Sequence, residues 1–360
     1  TALKKFGRLS ESEVVTPSKT CADMVSLFSP ETLKNAVKEK NPILDINSKM
    51  GEFAIALYER FSKELGFKTK DFAHLIYSIP SSTYTYEFVR KIYGILGLGA
   101  DCIARNFVSY DLLNVKDESG KRIDYERISH ILRQKKPFAK IRLDDKIAEG
   151  AEEMNIEAVV GNPPYQVTAT GDANGSDPIY NMFIDAGMAL SDKGSFVHPA
   201  RFLFNAGKTP KDWNEGILND VHFKVAKYWA KSDDVFDNVD IKGGVAITYF
   251  DKNKDFGKIG TFIAFDELRS ILNKVVSDDF KNISGIMTPQ TKYNFETLYK
   301  DFPHYKNIIG SNGSDKRLRP NAFDKLDVFS ETQKNNEIGI HGLINNKRVM
   351  RYIPRKYLEE

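Results

Sequence analysis

Two cysteines, Cys21 and Cys102, are all that the 360-residue chain contains, too few for a disulfide framework or a four-cysteine zinc site. The six histidines are scattered without ligand spacing, so no structural or catalytic metal is expected. Long apolar runs are missing too. None is long enough to cross a bilayer and no secretory leader is read at the start, so a cytoplasmic protein without a membrane partner is expected. Neither charge dominates: 52 Lys and Arg against 49 Asp and Glu leave +3, and composition alone does not announce a nucleic-acid binder. Internal repeats and low-complexity tracts are absent. What is present is 41% hydrophobic content over a length that can bury a substantial core and form more than one domain.

One stretch organises the chain. Glu157 to Tyr165 is an apolar run ending in Gly161, Asn162, Pro163, Pro164 and Tyr165. The run suits a central parallel strand, and the two prolines forbid its continuation because neither donates a ladder hydrogen bond. The chain must turn out at Asn162, at the carboxyl edge of a sheet, where open α/β folds bind their ligands. An exocyclic amine on a nucleobase is a poor nucleophile because its lone pair is delocalised into the ring. The Asn162 side-chain oxygen and the Pro163 carbonyl, each accepting a hydrogen bond from such an amine, would free that lone pair while Tyr165 stacks on the base. The Pro163-Pro164 segment fixes these groups before the substrate arrives.

The Asn162 to Tyr165 segment resembles the catalytic motif of S-adenosylmethionine-dependent amino-methyltransferases, especially the N6-adenine DNA methyltransferases of restriction-modification systems. The resemblance runs from Val14 to Phe250. It implies an α/β fold, a doubly wound mixed sheet of the methyltransferase type, followed by the beginning of a C-terminal target-recognition region. Thr16-Pro17 ahead of a helix over 18–28 resembles the amino-terminal cofactor motif, with Thr16 near the amino-acid end of the cofactor. A strand over 41–47, a tight loop and a helix from Ala54 resemble the cofactor loop, in which Asp45 and Gly51 match and Lys49 stands where an early glycine is common. Asn106 to Leu113 reads as a short strand. By resemblance Asp111 accepts from the cofactor's adenine amino group and Leu112 walls the ring. The strand expected over 72–79 ends at Ser81 and Ser82 without the carboxylate that usually holds the ribose, so one of these serines is expected to substitute or the ribose is held from elsewhere.

Further along, 114–155 reads as an insertion with helices over 125–135 and 143–151. A polar loop follows over 166–176, then a helix over 179–190 and a strand over 194–199 ending at His198, read as a satisfied strand-end histidine. Val235 to Asp237 and 243–250 resemble the last core strands, with Phe236 as a second aromatic that sandwiches the extruded base against Tyr165. The catalytic domain is expected over 1–255, with a linker and partial recognition region over 256–360. There Lys316, Arg317 and Arg319 are candidates for DNA phosphate contact. The opening at Thr1 and the end in basic sequence suggest a piece of a longer polypeptide that also carries nuclease or helicase domains. Its expected partner is double-stranded DNA. RNA-base or protein-glutamine methylation uses the same tetrapeptide and stays open, as does a non-catalytic DNA-binding module with a decayed cofactor pocket.

Overall fold

All six residues of the first strand, β1 (Ile43–Ser48), are buried, as a strand covered on both faces requires. Successive side chains go to opposite sides. Ile43 joins one apolar cluster with Phe53, Leu57 and Val160, while Leu44 and Ile46 join another with Val159, Phe183 and Phe196. The computed structural model describes residues 14–148, 150–166, 177–236, 241–275, 293–313, 316–319 and 322–358.

β1 is flanked by β2 (Ile76–Pro80) and β3 (Ala158–Gly161), and β4 (Lys193–Pro199) lies beyond β3, all parallel. The sheet closes with β5 (Phe223–Trp229) at its edge and β6 (Val245–Asp251) between β5 and β4, antiparallel to both. The strand order is therefore β2-β1-β3-β4-β6-β5, the doubly wound mixed sheet expected for a methyltransferase. After β1 the chain goes to one side for β2 and returns to the other for β3. The strand order thus reverses between β1 and β3, and the crevice outside their carboxyl ends is where such sheets bind ligands.

Helices α1 (Ser18–Val25) and α2 (Pro30–Glu39) precede β1, with α2 capped by the Ser29 hydroxyl. α3 (Glu52–Glu59) follows β1 and the short α4 (Thr69–Phe72) leads into β2. Phe72 is thus helical, and the strand expected from it begins only at Ile76. α5 (Thr83–Leu96) starts at a Ser82/Thr85 capping box. α6 (Tyr125–Leu132) forms as expected, whereas 143–151 forms no helix among its described residues. α7 (Tyr180–Leu190) packs closely on β4, where a Cβ on Gly187 would lie 2.5 Å from Phe196 Cζ. α8 (Lys211–Asn219) connects to β5.

Two expected strands do not form. Over 106–113 the chain makes a 3-10 turn, Ser109–Asn114, because the Asp111 carboxylate accepts from its own turn's Val108 N–H at 2.9 Å; only Ile103 bridges β2, at Ser78. Val235 and Phe236 follow another 3-10 turn, their amides bonded back to the Ser232 carbonyl at 2.9 and 2.8 Å. The polar loop over 167–176 and Asp237 lie outside the described residues.

The chain divides into units 1–269 and 270–360, and α9 (Asp266–Val275) crosses the division. The second unit has its own apolar cluster, including Tyr293, Leu298, Tyr305 and Ile353, and a hairpin of β7 (Glu337–Ile344) and β8 (Lys347–Pro354).

His198 is fully buried. Its ring stacks on Tyr180 at 5.3 Å, Nε2 meets the Thr248 hydroxyl at 2.8 Å and Nδ1 the Pro199 carbonyl at 3.1 Å. Burial pushes its pKa down to about 4, so it is neutral at neutral pH. Unfolding frees it to bind a proton at the ordinary value. The stability it contributes is therefore present above about pH 6.5 and is lost on acidification toward pH 4, to the extent of roughly 3 kcal/mol. A proton-NMR titration of the ring should show a midpoint near 4; a midpoint near 6.5 would contradict its burial as a neutral group.

Candidate active site

Register sets the frame of the site. Ile43, Leu44 and Asp45 pair with Ala158, Val159 and Val160, so the loop after Asp45 and the one at Asn162 leave adjacent strands side by side. Gly161 permits this approach, since a Cβ there would lie 2.8 Å from Ile46 Cγ2. Pro163 and Pro164, without amide hydrogens, then take the chain out of the sheet.

Asn162 is fully buried. Its Nδ2 donates to the Val14 carbonyl at 2.9 Å and to Thr16 Oγ1 at 3.0 Å. Its backbone carbonyl accepts from Asn47 Nδ2 at 2.7 Å and from Lys49 Nζ at 2.9 Å. The Val14 carbonyl, an acceptor with no hydrogen to give, selects the NH2 end of the Asn162 amide. Oδ1 is left without a hydrogen-bond partner, a state that costs a buried polar atom about 1–3 kcal/mol. The Tyr165 hydroxyl lies beside this amide but outside hydrogen-bond geometry to any group; burial pushes its pKa up and the polar Asn162 side chain nearby partly opposes that.

The end of β1 and the loop after it join the same network. Asp45 is fully buried, with Oδ1 accepting from Asn47 N at 3.2 Å and Oδ2 unpartnered. Burial first, and the Glu52 carboxylate second, hold its pKa well above the usual carboxylate range, against the nearby Ser48 hydroxyl, the Asn47 amide and, least, the charge of Lys49. Gly51 takes φ 74°, the left-handed turn that opens α3. Glu52 accepts from Met50 N at 2.8 Å and from Thr16 N at 3.5 Å. Thr16, Asp45, Gly51 and Asn162, singled out in the sequence, thus come together. Asn47, Lys49 and Glu52 complete the set; a carboxylate directly after the loop glycine was the one available signal for Glu52.

Asp111 is brought to the neighbourhood by Ser109, whose hydroxyl donates to Asn47 Oδ1. Its own carboxylate caps the Val108 turn and lines a cleft with Asn114, Lys116 and Arg127. Leu112 is buried with Leu44 and Ile46 on one face of the sheet. Ser82 is occupied as the cap of α5, and the Ser81 hydroxyl lies 3.4 Å from Thr85 Oγ1. Phe236 is fully buried and its ring centre lies 6.4 Å from that of Tyr165 at 59°. These rings touch, leaving no slot for a base between them. Lys316, Arg317 and Arg319 are exposed in the second unit. At the amino edge of the sheet, His74, Asp101 and Cys102 bring metal-type ligand atoms within 4.8 Å of one another, a grouping that sequence spacing hid.

Asp45 Oδ2, Ser48 Oγ, Asn162 Oδ1 and Tyr165 Oη are buried and unpartnered. Together with the carboxylates of Asp45 and Glu52, they fit a polar ligand that carries positive charge.

Residues 58–236 match the model of the Eco57I restriction-modification methylase family, a stretch that holds Asp111, Asn162 to Tyr165 and Phe236. No curated protein matches the chain. Among solved structures, it is similar to a type I restriction-modification methyltransferase subunit from Streptococcus thermophilus, with 15% identity over 75% of this chain and 55% of that one and a TM-score of 0.42. It is also similar to the EcoKI M protein of a type I restriction enzyme, at 13% over 70% and 47% with TM-score 0.41. The restriction-modification enzyme LlaGI aligns at 13% over 73% and 25% with TM-score 0.44. The chain spans about half the length of the first two.

A carboxylate held above its ordinary pKa costs stability once ionised. For Asp45 that loss accrues as pH rises from about 4 through its folded-state value. Asp45→Asn should therefore be more stable at pH 7, with the difference vanishing below about pH 4. Denaturant unfolding at both pH values checks this; an Asn variant less stable at neutral pH would refute the electrostatic account.

Proposed function

From the match of residues 58–236 to the Eco57I restriction-modification methylase family model, we propose that the chain transfers a methyl group from S-adenosylmethionine to the N6 amino group of an adenine in double-stranded DNA. The observation that carries this reading is Asn162, a buried side chain whose amide nitrogen donates two hydrogen bonds and whose oxygen is unpartnered. Such an oxygen is a preorganised acceptor. It needs no reordering when a flat amino group arrives, and desolvation strengthens the hydrogen bond it then makes.

When bound, S-adenosylmethionine supplies an electrophilic sulfonium methyl group. Thr16, Asp45, Glu52 and the turn at Gly51 hold its amino-acid portion, and Asp111 with Leu112 receives its adenine. Asn162 Oδ1 and the Pro163 carbonyl accept the two hydrogens of the target amine, localise its lone pair and orient it. The amine's surplus proton leaves to solvent afterwards. Tyr165 stacks on the extruded base, which requires the Tyr165 and Phe236 rings to part, since they touch in this structure. Lys316, Arg317 and Arg319 contact phosphates.

Labelled methyl transfer from S-adenosylmethionine to DNA, RNA and protein tests the assignment; label at N6 of adenine in DNA is expected, and label only in RNA or in glutamine side chains would replace it. Asn162→Ala should lower transfer at least about 100-fold with cofactor affinity nearly unchanged by calorimetry, and equal loss of both would remove it from the chemistry. Asp111→Ala should weaken cofactor binding first; an unaltered dissociation constant refutes its place at the adenine.

A further inference from the structure

Lys49 is 1% exposed, an unusual place for an ammonium group. Its Nζ donates at 2.9 Å to the Val14 carbonyl, 35 residues earlier, and at 2.9 Å to the Asn162 carbonyl, 113 residues later. The Val14 carbonyl also receives the Asn162 side-chain amide at 2.9 Å. Lys49 therefore grips Asn162 twice, directly through its backbone and indirectly through the acceptor that orients its side chain.

We propose that Lys49 is a positioning residue for the transfer reaction: its ammonium sets which end of the Asn162 amide faces the target amine. This rests on the methylase reading above. A charge-assisted hydrogen bond from the ammonium pins the Val14 carbonyl in place, so its oxygen meets the NH2 end of the Asn162 amide and a flipped amide would set oxygen against oxygen. The Asn162 carbonyl, tied by Lys49 and by Asn47 Nδ2 at 2.7 Å, cannot rotate the Asn162-Pro163 peptide and carry the Pro163 acceptor out of line. The Val14 and Asn162 carbonyls, both accepting from Nζ, offset part of the cost of a buried charge. Lys49 thus replaces the freedom of a glycine loop with a fixed three-way junction between the amino-terminal segment, the cofactor loop and the catalytic loop.

Two variants of the 360-residue chain test the role. Lys49→Gly installs the residue common at this place in the methyltransferases, and Lys49→Met keeps the length without the charge. Both are expected to lower the turnover number about 100-fold while the S-adenosylmethionine dissociation constant, read by calorimetry, stays within about threefold. Ethylammonium added to Lys49→Gly should restore part of the activity, and ethanol should not. Hydrogen exchange read by mass spectrometry should accelerate in both variants over 14–16 and 157–166 and stay unchanged over α5. Full activity in Lys49→Gly, or a loss of cofactor affinity as large as the loss of turnover, overturns the proposal. Wild-type chain that transfers no methyl group to any acceptor overturns the methylase reading instead, and the exchange pattern then decides the Lys49 junction alone: acceleration confined to the two segments upholds it, and unchanged or global exchange refutes it.

Discussion

The pairing of β1 with β3 is the interaction from which the site follows. Three residue pairs, Ile43 with Ala158, Leu44 with Val159 and Asp45 with Val160, align two strand ends at the place where strand order reverses. Side chains alternate along a strand, so a slip of one residue would send Asp45 to the opposite face and exchange the two halves of the core. The register is enforced from both sides, because Ile43 and Leu44 belong to different apolar clusters. Precision at the loop tips is inherited from packing in the middle of the sheet.

Polar groups in this crevice are concentrated beyond what stability favours. Two carboxylates and an ammonium are buried between Asp45 in β1 and Glu52 at the start of α3, and several oxygens there have no partner. Elsewhere in the first unit Arg60 Nε, Asn181 Oδ1 and Ser195 Oγ also lack partners, whereas His198 has two and Asn214 meets the Thr209 hydroxyl at 2.7 Å. Unmet hydrogen-bonding capacity gathered at one sheet edge is what a binding site looks like before its ligands enter.

Much of this was legible in the residues. The Pro163-Pro164 stop, the apolar run before it and the strand-loop-helix at Asp45 are local patterns, and they placed the sheet edge, β1, β3 and α7. Lys49 was visible only as a departure from a pattern, since its partners lie 35 and 113 residues away. The strand expected over 106–113 failed because Asp111 offers the backbone a local partner that competes with ladder bonds. Val235 and Phe236 are apolar enough for a strand, yet their amides are taken by Ser232. The β7–β8 hairpin escaped notice although Asn345 and Asn346 both adopt positive φ, the two-residue turn that asparagine tolerates and that fixes strand register.

Val14 to Thr16 lie far ahead in the chain, and only the Val14 carbonyl, the Thr16 hydroxyl and Glu52 show why they matter. The family match opens at Tyr58, so a fragment cut at that boundary would discard β1, Lys49 and this leading segment while keeping Asn162. Its amide would then face solvent or an empty trough, free to turn end over end. In a gene-fusion or truncation series the functional unit therefore starts upstream of the homologous one, at the residues that lend Asn162 its direction.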